Sequence, residues 1–270
     1  MMTKINEAVA FIKNMYSDKP AVGIVLGSGL GSFTTEINIE KEIPYGDIPH
    51  FPVSTVEGHS GKLIFGTLGG KKIVAMAGRF HLYEGYSSEQ TVFPIRVLKF
   101  LGIETLLVSN AAGGVNPAFQ VGDLMIITDH ISQFAPNPLI GKNYKELGPR
   151  FPDMSEPYKK RLVQKMRDIA AQKNIRLREG VYVAVTGPTF ETRAEYKMIL
   201  TLGGDAVGMS TVQEVITAVH MGLPVFAMSV ITDVGIREEE NVITHEEVLE
   251  AARAAEPNFK ALFCELIAQL

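Results

Sequence analysis

The sequence predicts an α/β fold, a single domain over residues 1–270 with a mixed, mostly parallel central sheet flanked by helices. Three observations carry this. Short continuous apolar runs such as Val22–Leu26, Val181–Val185 and Pro224–Ile231 alternate with stretches of helical periodicity, the order expected of strands joined through helices. Lys62–Thr67 and Lys72–Ala77, joined by Leu68-Gly69-Gly70, read as a hairpin and make the sheet mixed. The 270 residues are 46% hydrophobic, enough to bury a large core.

In chain order, Ile5, Val9, Ile12 and Tyr16 fall at helical spacing and give an amphipathic first helix rather than a signal peptide. The strand Val22–Leu26 breaks into Gly27-Ser28-Gly29-Leu30-Gly31, where three glycines in five residues permit positive φ and close approach of backbone to a ligand. Backbone N–H groups converging in such a turn, with the Ser28 hydroxyl, suit an anion. The turn lacks the third glycine of a dinucleotide fingerprint, since Ser32 stands three after Gly29, and it lacks the Gly-Lys-Ser/Thr ending of a P-loop. Glu36–Glu42 reads as a solvated charged stretch. After the hairpin, Ser88 caps a helix to about Leu101, closed by Gly102. Glu104–Ser109 and Asp123–Thr128 are strands, and the Pro-, Asn- and Gly-rich connection 132–155 is long enough to imply a function.

A helix over Glu156–Lys173, the strand Val181–Val185, a helix to about Leu202 and a short strand Asp205–Gly208 follow. Met209-Ser210-Thr211 opens a helix to about Met221, and Pro224–Ile231 ends at Thr232-Asp233. Thr244-His245-Glu246-Glu247 is a capping box that starts C-terminal helices broken near Pro257. Met76, Met125, Met166, Met198 and Met228 sit in apolar runs as core filler, while His50 and His220 read as capping or surface residues.

Composition narrows the function classes. Formal charge is −4, from 26 basic and 30 acidic residues, with no basic run, so nucleic acid is not an expected partner. Cys264 alone rules out a disulfide framework and a thiolate metal site, and suits a reducing cytoplasm. No apolar run approaches membrane-spanning length, so no membrane contact is expected. Asp129-His130 is an isolated pair without a third or fourth ligand, so no metal is expected either.

The unusual polar groups fall just after the carboxyl ends of predicted strands: Ser28, Arg79 with His81, Asn110, Glu191, Met209 with Ser210, and Asp233. Open α/β sheets bind ligands outside those ends, so these loops are expected to meet in one cleft. Arg79 and His81, two apart in an extended segment, project to one side, with Glu84 placed to orient His81. A planar guanidinium fork and an imidazole match phosphate oxygens. Ser210, just before a helix, adds a hydroxyl beside a helix N-terminus. Singly, each has a plainer reading as a surface charge pair or an N-cap. Together, Ser28, Arg79, His81 and Ser210 favour a bound inorganic phosphate.

The segments GSGLG (27–31), EGHSG (57–61), GRFHLYEG (78–85), SNAAGG (109–114), GPTFET (187–192), VGMSTVQEV (207–215) and THEEVL (244–249) resemble those of the trimeric purine nucleoside phosphorylases, in the same order across nearly the whole chain. The resemblance implies reversible phosphorolysis of purine (deoxy)ribonucleosides to the free base and α-D-(deoxy)ribose 1-phosphate, with inosine and guanosine favoured. It implies phosphate held by Ser28, Arg79, His81, the Ala111 backbone and Ser210, with His59 on a neighbouring loop. It sets Tyr83 and Met209 against the ribose and His245 near its 5′-hydroxyl. Phe190 and Val207 then meet the base, Glu191 accepts its N1–H, and Asp233 faces it as well, so that His81, Glu191 and Asp233 carry the catalysis. Phe151 would reach into a neighbouring subunit's site in a homotrimer. Phosphate is a co-substrate, and no cofactor is implied.

One position departs from the pattern. Where the 6-oxopurine-specific members carry Asn after the Ile-Thr of the last strand, this chain has Asp233. An ionised Asp only accepts, and it opposes the lone pair of O6. Protonated, it can serve as general acid to N7; ionised, it can accept from the 6-amino group of adenine. The expectation is therefore inosine and guanosine, with tolerance of adenosine. Methylthioadenosine phosphorylases also have Asp here, but Glu191 suits an N1–H donor and His245 suits a polar 5′ group. A non-catalytic nucleoside- or phosphate-binding protein would need no groups for both sugar and base. A nicotinamide-dependent dehydrogenase is disfavoured by the missing third glycine.

Overall fold

The computed structural model describes residues 1–54, 60–235 and 244–270. Its strands are β1 (Val22–Val25), β2 (Asn38–Pro44), β3 (Lys62–Leu68), β4 (Lys71–Ala77), β5 (Thr105–Gly114), β6 (Leu124–Ile131), β7 (Leu177–Ala184), β8 (Ala206–Gly208) and β9 (Val225–Val234). Its α-helices are α1 (Met2–Met15), α2 (Ser88–Thr91), α3 (Phe93–Leu101), α4 (Lys160–Lys173), α5 (Arg193–Thr201), α6 (Val212–His220) and α7 (His245–Ala268).

All these strands form one sheet in the order β2-β3-β4-β1-β5-β8-β7-β6-β9. Five pairings are parallel (β1–β4, β1–β5, β5–β9, β6–β7, β7–β8) and four antiparallel (β2–β3, β3–β4, β5–β8, β6–β9), the mixed and mostly parallel sheet that the sequence predicts. The sheet is not open, however. β9 lies along almost the whole of β5, leaving the other edge to β1 at Thr105–Val108 and to β8 at Gly113 and Gly114. The path β5-β9-β6-β7-β8 returns to β5 and closes a five-stranded ring. A register irregularity at Ala112/Gly113 bends β5 where it makes this turn.

Both faces of the sheet are covered, which is why its central strands read as continuous apolar runs. In β4 the alternation divides cleanly: Val74 and Met76 join the core layer that includes α1 and α3, while Ile73, Ala75 and Ala77 join the layer made by α4 and α7.

Several elements differ from the sequence expectation. The charged stretch Glu36–Glu42 is largely β2, an edge strand whose acids face lysines of the hairpin: Lys62 donates to Glu42 and Lys72 to Glu40, each at 2.8 Å. Ser87, not Ser88, caps the helix after the hairpin, and that helix breaks at Val92 because Pro94 has no N–H to return to residue 90. β5 runs on through Gly114 instead of ending at Ser109. α4 begins at Lys160, later than Glu156. α7 continues through Pro257: its buried face, including Ala252, Phe259, Phe263 and Leu266, outweighs the roughly 3 kcal/mol a helical proline costs. Met198 is exposed rather than core filler, and His220 is buried, its Nε2 donating to the Pro149 carbonyl at 2.9 Å.

Candidate active site

The glycine turn after β1 is built for packing. Gly27 has no room for a Cβ, which would stand 2.6 Å from the Asn110 Cα of β5. Its N–H donates to Ser109 Oγ at 3.2 Å, and that hydroxyl donates to the Val25 carbonyl at 3.1 Å. Gly29, at φ +76°, turns the chain beneath α7, with the space for its Cβ filled by Ala252. Gly27 and Gly29 therefore make room for strand and helix, and Ser28 between them lines the cavity.

That cavity, about 460 Å³, is where the separate loops meet. Arg79, just past β4, is 2% exposed. Its Nε and Nη2 both donate to Glu214 of α6 at 3.0 Å, and Nη1 donates to the Ser109 carbonyl at 2.6 Å. The fork that the sequence offered to phosphate is thus filled by a carboxylate, and it is the Nη1 end that extends to Ser210 Oγ at 3.5 Å. Glu214 was missed, although an acid in the apolar helical run Val212–Val219 signals a buried cation. Thr211 joins the same group. It sits at φ +71° and ψ −55°, a γ-turn closed by Val212 N–H donating to the Ser210 carbonyl at 2.8 Å. The Thr211 hydroxyl accepts from Asn110 Nδ2 at 2.8 Å and lies 3.2 Å from Ser210 Oγ. Ser210, just before the turn, lines the cavity.

His81 is held from behind. Glu84 Oε1 accepts from the His81 backbone N–H at 2.8 Å and lies 3.1 Å from His81 Nδ1, as the sequence anticipated. Tyr83 stacks on the imidazole at 4.6 Å between centroids. Burial, with help from Arg79, keeps the His81 pKa below its ordinary value, so the ring is neutral at physiological pH.

A second hydrogen-bonded group in the cavity is acidic. Asp233, within β9, accepts from Thr232 Oγ1 at 3.2 Å and from the Tyr196 hydroxyl of α5 at 3.3 Å. Glu191 and Tyr196 line the same end of the cavity. Burial, then the nearby Asp233, raises the Glu191 pKa. Tyr196 escaped sequence reasoning because nothing distinguishes it from any other buried aromatic on a helix.

Ser28, Arg79, His81, Tyr83, Ala111, Phe190, Glu191, Val207, Met209, Ser210, Asp233 and His245 all line this one cavity. His59 lies outside the described residues. Phe151 does not reach the cavity: it is 88% exposed on the loop after β6, beside a separate hollow that Ile140 also lines. Asp129 and His130 line that hollow too, with His130 Nδ1 3.0 Å from the Tyr158 hydroxyl. Among the described residues no three His, Cys, Asp or Glu side chains are grouped to hold a metal ion, and no helix is long and apolar enough to cross a membrane.

A family model described as the phosphorylase superfamily matches residues 21–268. The chain is 53% identical over 257 residues to the purine nucleoside phosphorylase 1 of Geobacillus stearothermophilus, covering 95% of this chain and 94% of that protein. Isoform 2 of the Schistosoma mansoni purine nucleoside phosphorylase, solved with cytosine and ribose-1-phosphate, matches with a TM-score of 0.95 and 44% identity over 99% of this chain and 96% of that one. A Schistosoma mansoni purine nucleoside phosphorylase solved with adenosine gives 0.95 and 41% over 100% and 98%.

Proposed function

The chain belongs to the phosphorylase superfamily, among the purine nucleoside phosphorylases, and from that premise we propose that it favours inosine and guanosine and tolerates adenosine through Asp233. The observation that carries the reading is the meeting of two groups in one cavity: Arg79, Ser210, Ser28 and His81 suited to an anion, and Glu191 with Asp233 suited to a purine edge. In this reading phosphate takes the Arg79 Nη1 end, the Ser28 and Ser210 hydroxyls, the Ala111 backbone and the start of α6. Because the Glu84 contact assigns the Nδ1 proton, neutral His81 presents an Nε2 lone pair and accepts the P–O–H of a hydrogen phosphate dianion.

Ribose packs on Tyr83 and Met209 near His245, and the base lies against Phe190 and Val207. Cleavage of the N-glycosidic bond builds positive charge on the sugar and negative charge on the departing purine. The phosphate dianion stabilises the first and attacks C1′, while Asp233 as an acid stabilises the second at N7. Glu191 accepts N1–H of a 6-oxopurine. The reaction draws on no cofactor beyond phosphate as co-substrate.

The exposed Phe151 and Ile140 support a homotrimer in which Phe151 completes a neighbour's site. Half-buried Cys264, its thiol pushed up to about 11 by burial, is unreactive and fits a reducing cytoplasm. The substrate reading is tested by phosphate-dependent turnover of inosine, guanosine and adenosine before and after Asp233→Asn. Adenosine turnover should collapse in the variant while inosine persists. A wild type that rejects adenosine, with the variant indistinguishable, refutes the role of Asp233.

A further inference from the structure

α3 is apolar and enclosed along most of its length, and Arg96 lies in its middle. The residue is only 5% exposed, yet its Nε and Nη1 have no hydrogen-bond partner. Arg79 is just as enclosed but has Glu214 for company. Among the described residues Arg96 has no such carboxylate. Glu89 of α2, the acid that bears on it, is exposed and forms no ion pair with it. A guanidinium cannot shed its proton to escape burial, so an enclosed charge of this kind calls for a counter-charge.

Arg96 lines a hollow of about 90 Å³ between α3, the C-terminal end of α6 and segment 138–147 of the loop after β6. One water needs roughly 10–15 Å³, so a small polyatomic ion has room. His220, the last residue of α6, lines the hollow too. Its Nε2 donates to the Pro149 carbonyl, which leaves a lone pair at Nδ1, and this buried Nδ1 also has no partner. Burial above all, and then the Arg96 charge, keeps the imidazole pKa low and the ring neutral. The hollow thus offers donors from a cation and one acceptor from an imidazole, and Lys142 on its wall adds a second cation. Chloride and sulfate only accept. Water could serve both atoms but leaves the charge uncompensated. An oxyanion that carries a proton answers both, its oxygens accepting from the guanidinium and its O–H donating to Nδ1.

We propose that Arg96 and His220 form a second anion site, sharing no lining residue with the main cavity, for a small oxyanion that carries a proton, hydrogen phosphate or bicarbonate.

Equilibrium dialysis in a chloride-free zwitterionic buffer near pH 7 tests it, counting labelled phosphate, bicarbonate and sulfate in turn on the wild type and on Arg96→Met. Methionine keeps much of the buried stem without the charge. Subtracting the two counts cancels whatever the main cavity binds, so the result is independent of the function proposed for that cavity. Phosphate or bicarbonate should show a difference of one ion per chain, and the tighter of the two names the source. Sulfate at the same concentration should show none. No difference for either proton-bearing ion overturns the proposal, as does sulfate filling the site equally well. If Arg96→Met does not fold, Arg96→Lys, which keeps a cation and loses the fork, should bind the extra ion at least about tenfold more weakly. Unchanged affinity in that variant overturns the proposal as well.

Discussion

Arg79 and Glu214 answer one another's burial. Both are almost fully enclosed, and the two-point contact between them compensates the burial of the pair. The pair has two consequences. Arg79 is held in place with its Nη1 end toward Ser210, so that in the proposed reading an arriving phosphate orders no side chain. Removing it strands the Glu214 carboxylate in a dry setting. Arg79→Ala should therefore abolish phosphorolysis and also cost about 3–5 kcal/mol of stability, measured by urea denaturation. Full stability in that variant contradicts the pairing. At this scale the sequence was informative where a motif names the residue, as for Ser28, His81 and Asp233. It was silent on partners such as Tyr196, which only folding brings beside them.

Among the elements, the turn after β1 and the strand β5 are locked together at Gly27, where a side chain would collide with the backbone of Asn110. Gly27→Ala should destabilise by about 1–3 kcal/mol or more, while Gly31→Ala, with no atom within 4 Å of its Cβ, should stay within about 0.5 kcal/mol. Melting curves of the two variants distinguish this from a glycine turn kept only for a ligand, which would leave both equally stable. The alternation of apolar runs and helical stretches was enough to read most strands and helices. What it could not convey was long-range pairing. β2 looks like solvated charge because its acids find their lysines only across the hairpin, and α7 looks broken because its proline is local while its packing is not. The ring closed by β5 and β8 rests on two glycine pairings that carry no hydrophobic signal.

For the molecule as a whole, buried imidazoles set the response to acid. Burial holds the pKa values of His81, His130 and His220 below the ordinary 6.5. As pH falls through that value the unfolded chain binds protons that the folded chain refuses, so stability drops with acidification. Glu191, raised above its usual 4.5, pulls the other way, while carboxylates held low by cationic partners, such as Glu104 and Glu179, add to the loss at lower pH. The melting temperature should decline from about pH 7 to about pH 5.5, and a rise over that interval contradicts the burial of these rings. Function at this scale depends on segments distant in sequence delivering an anion-suited cluster to one cavity. The most direct test is the initial rate of inosine cleavage against phosphate concentration for the wild type and Ser210→Ala. The phosphate KM should rise about 10- to 100-fold with the inosine KM little changed, as expected for one lost hydrogen bond to a charged oxygen. An unchanged phosphate KM, or cleavage that needs no phosphate, would contradict the account.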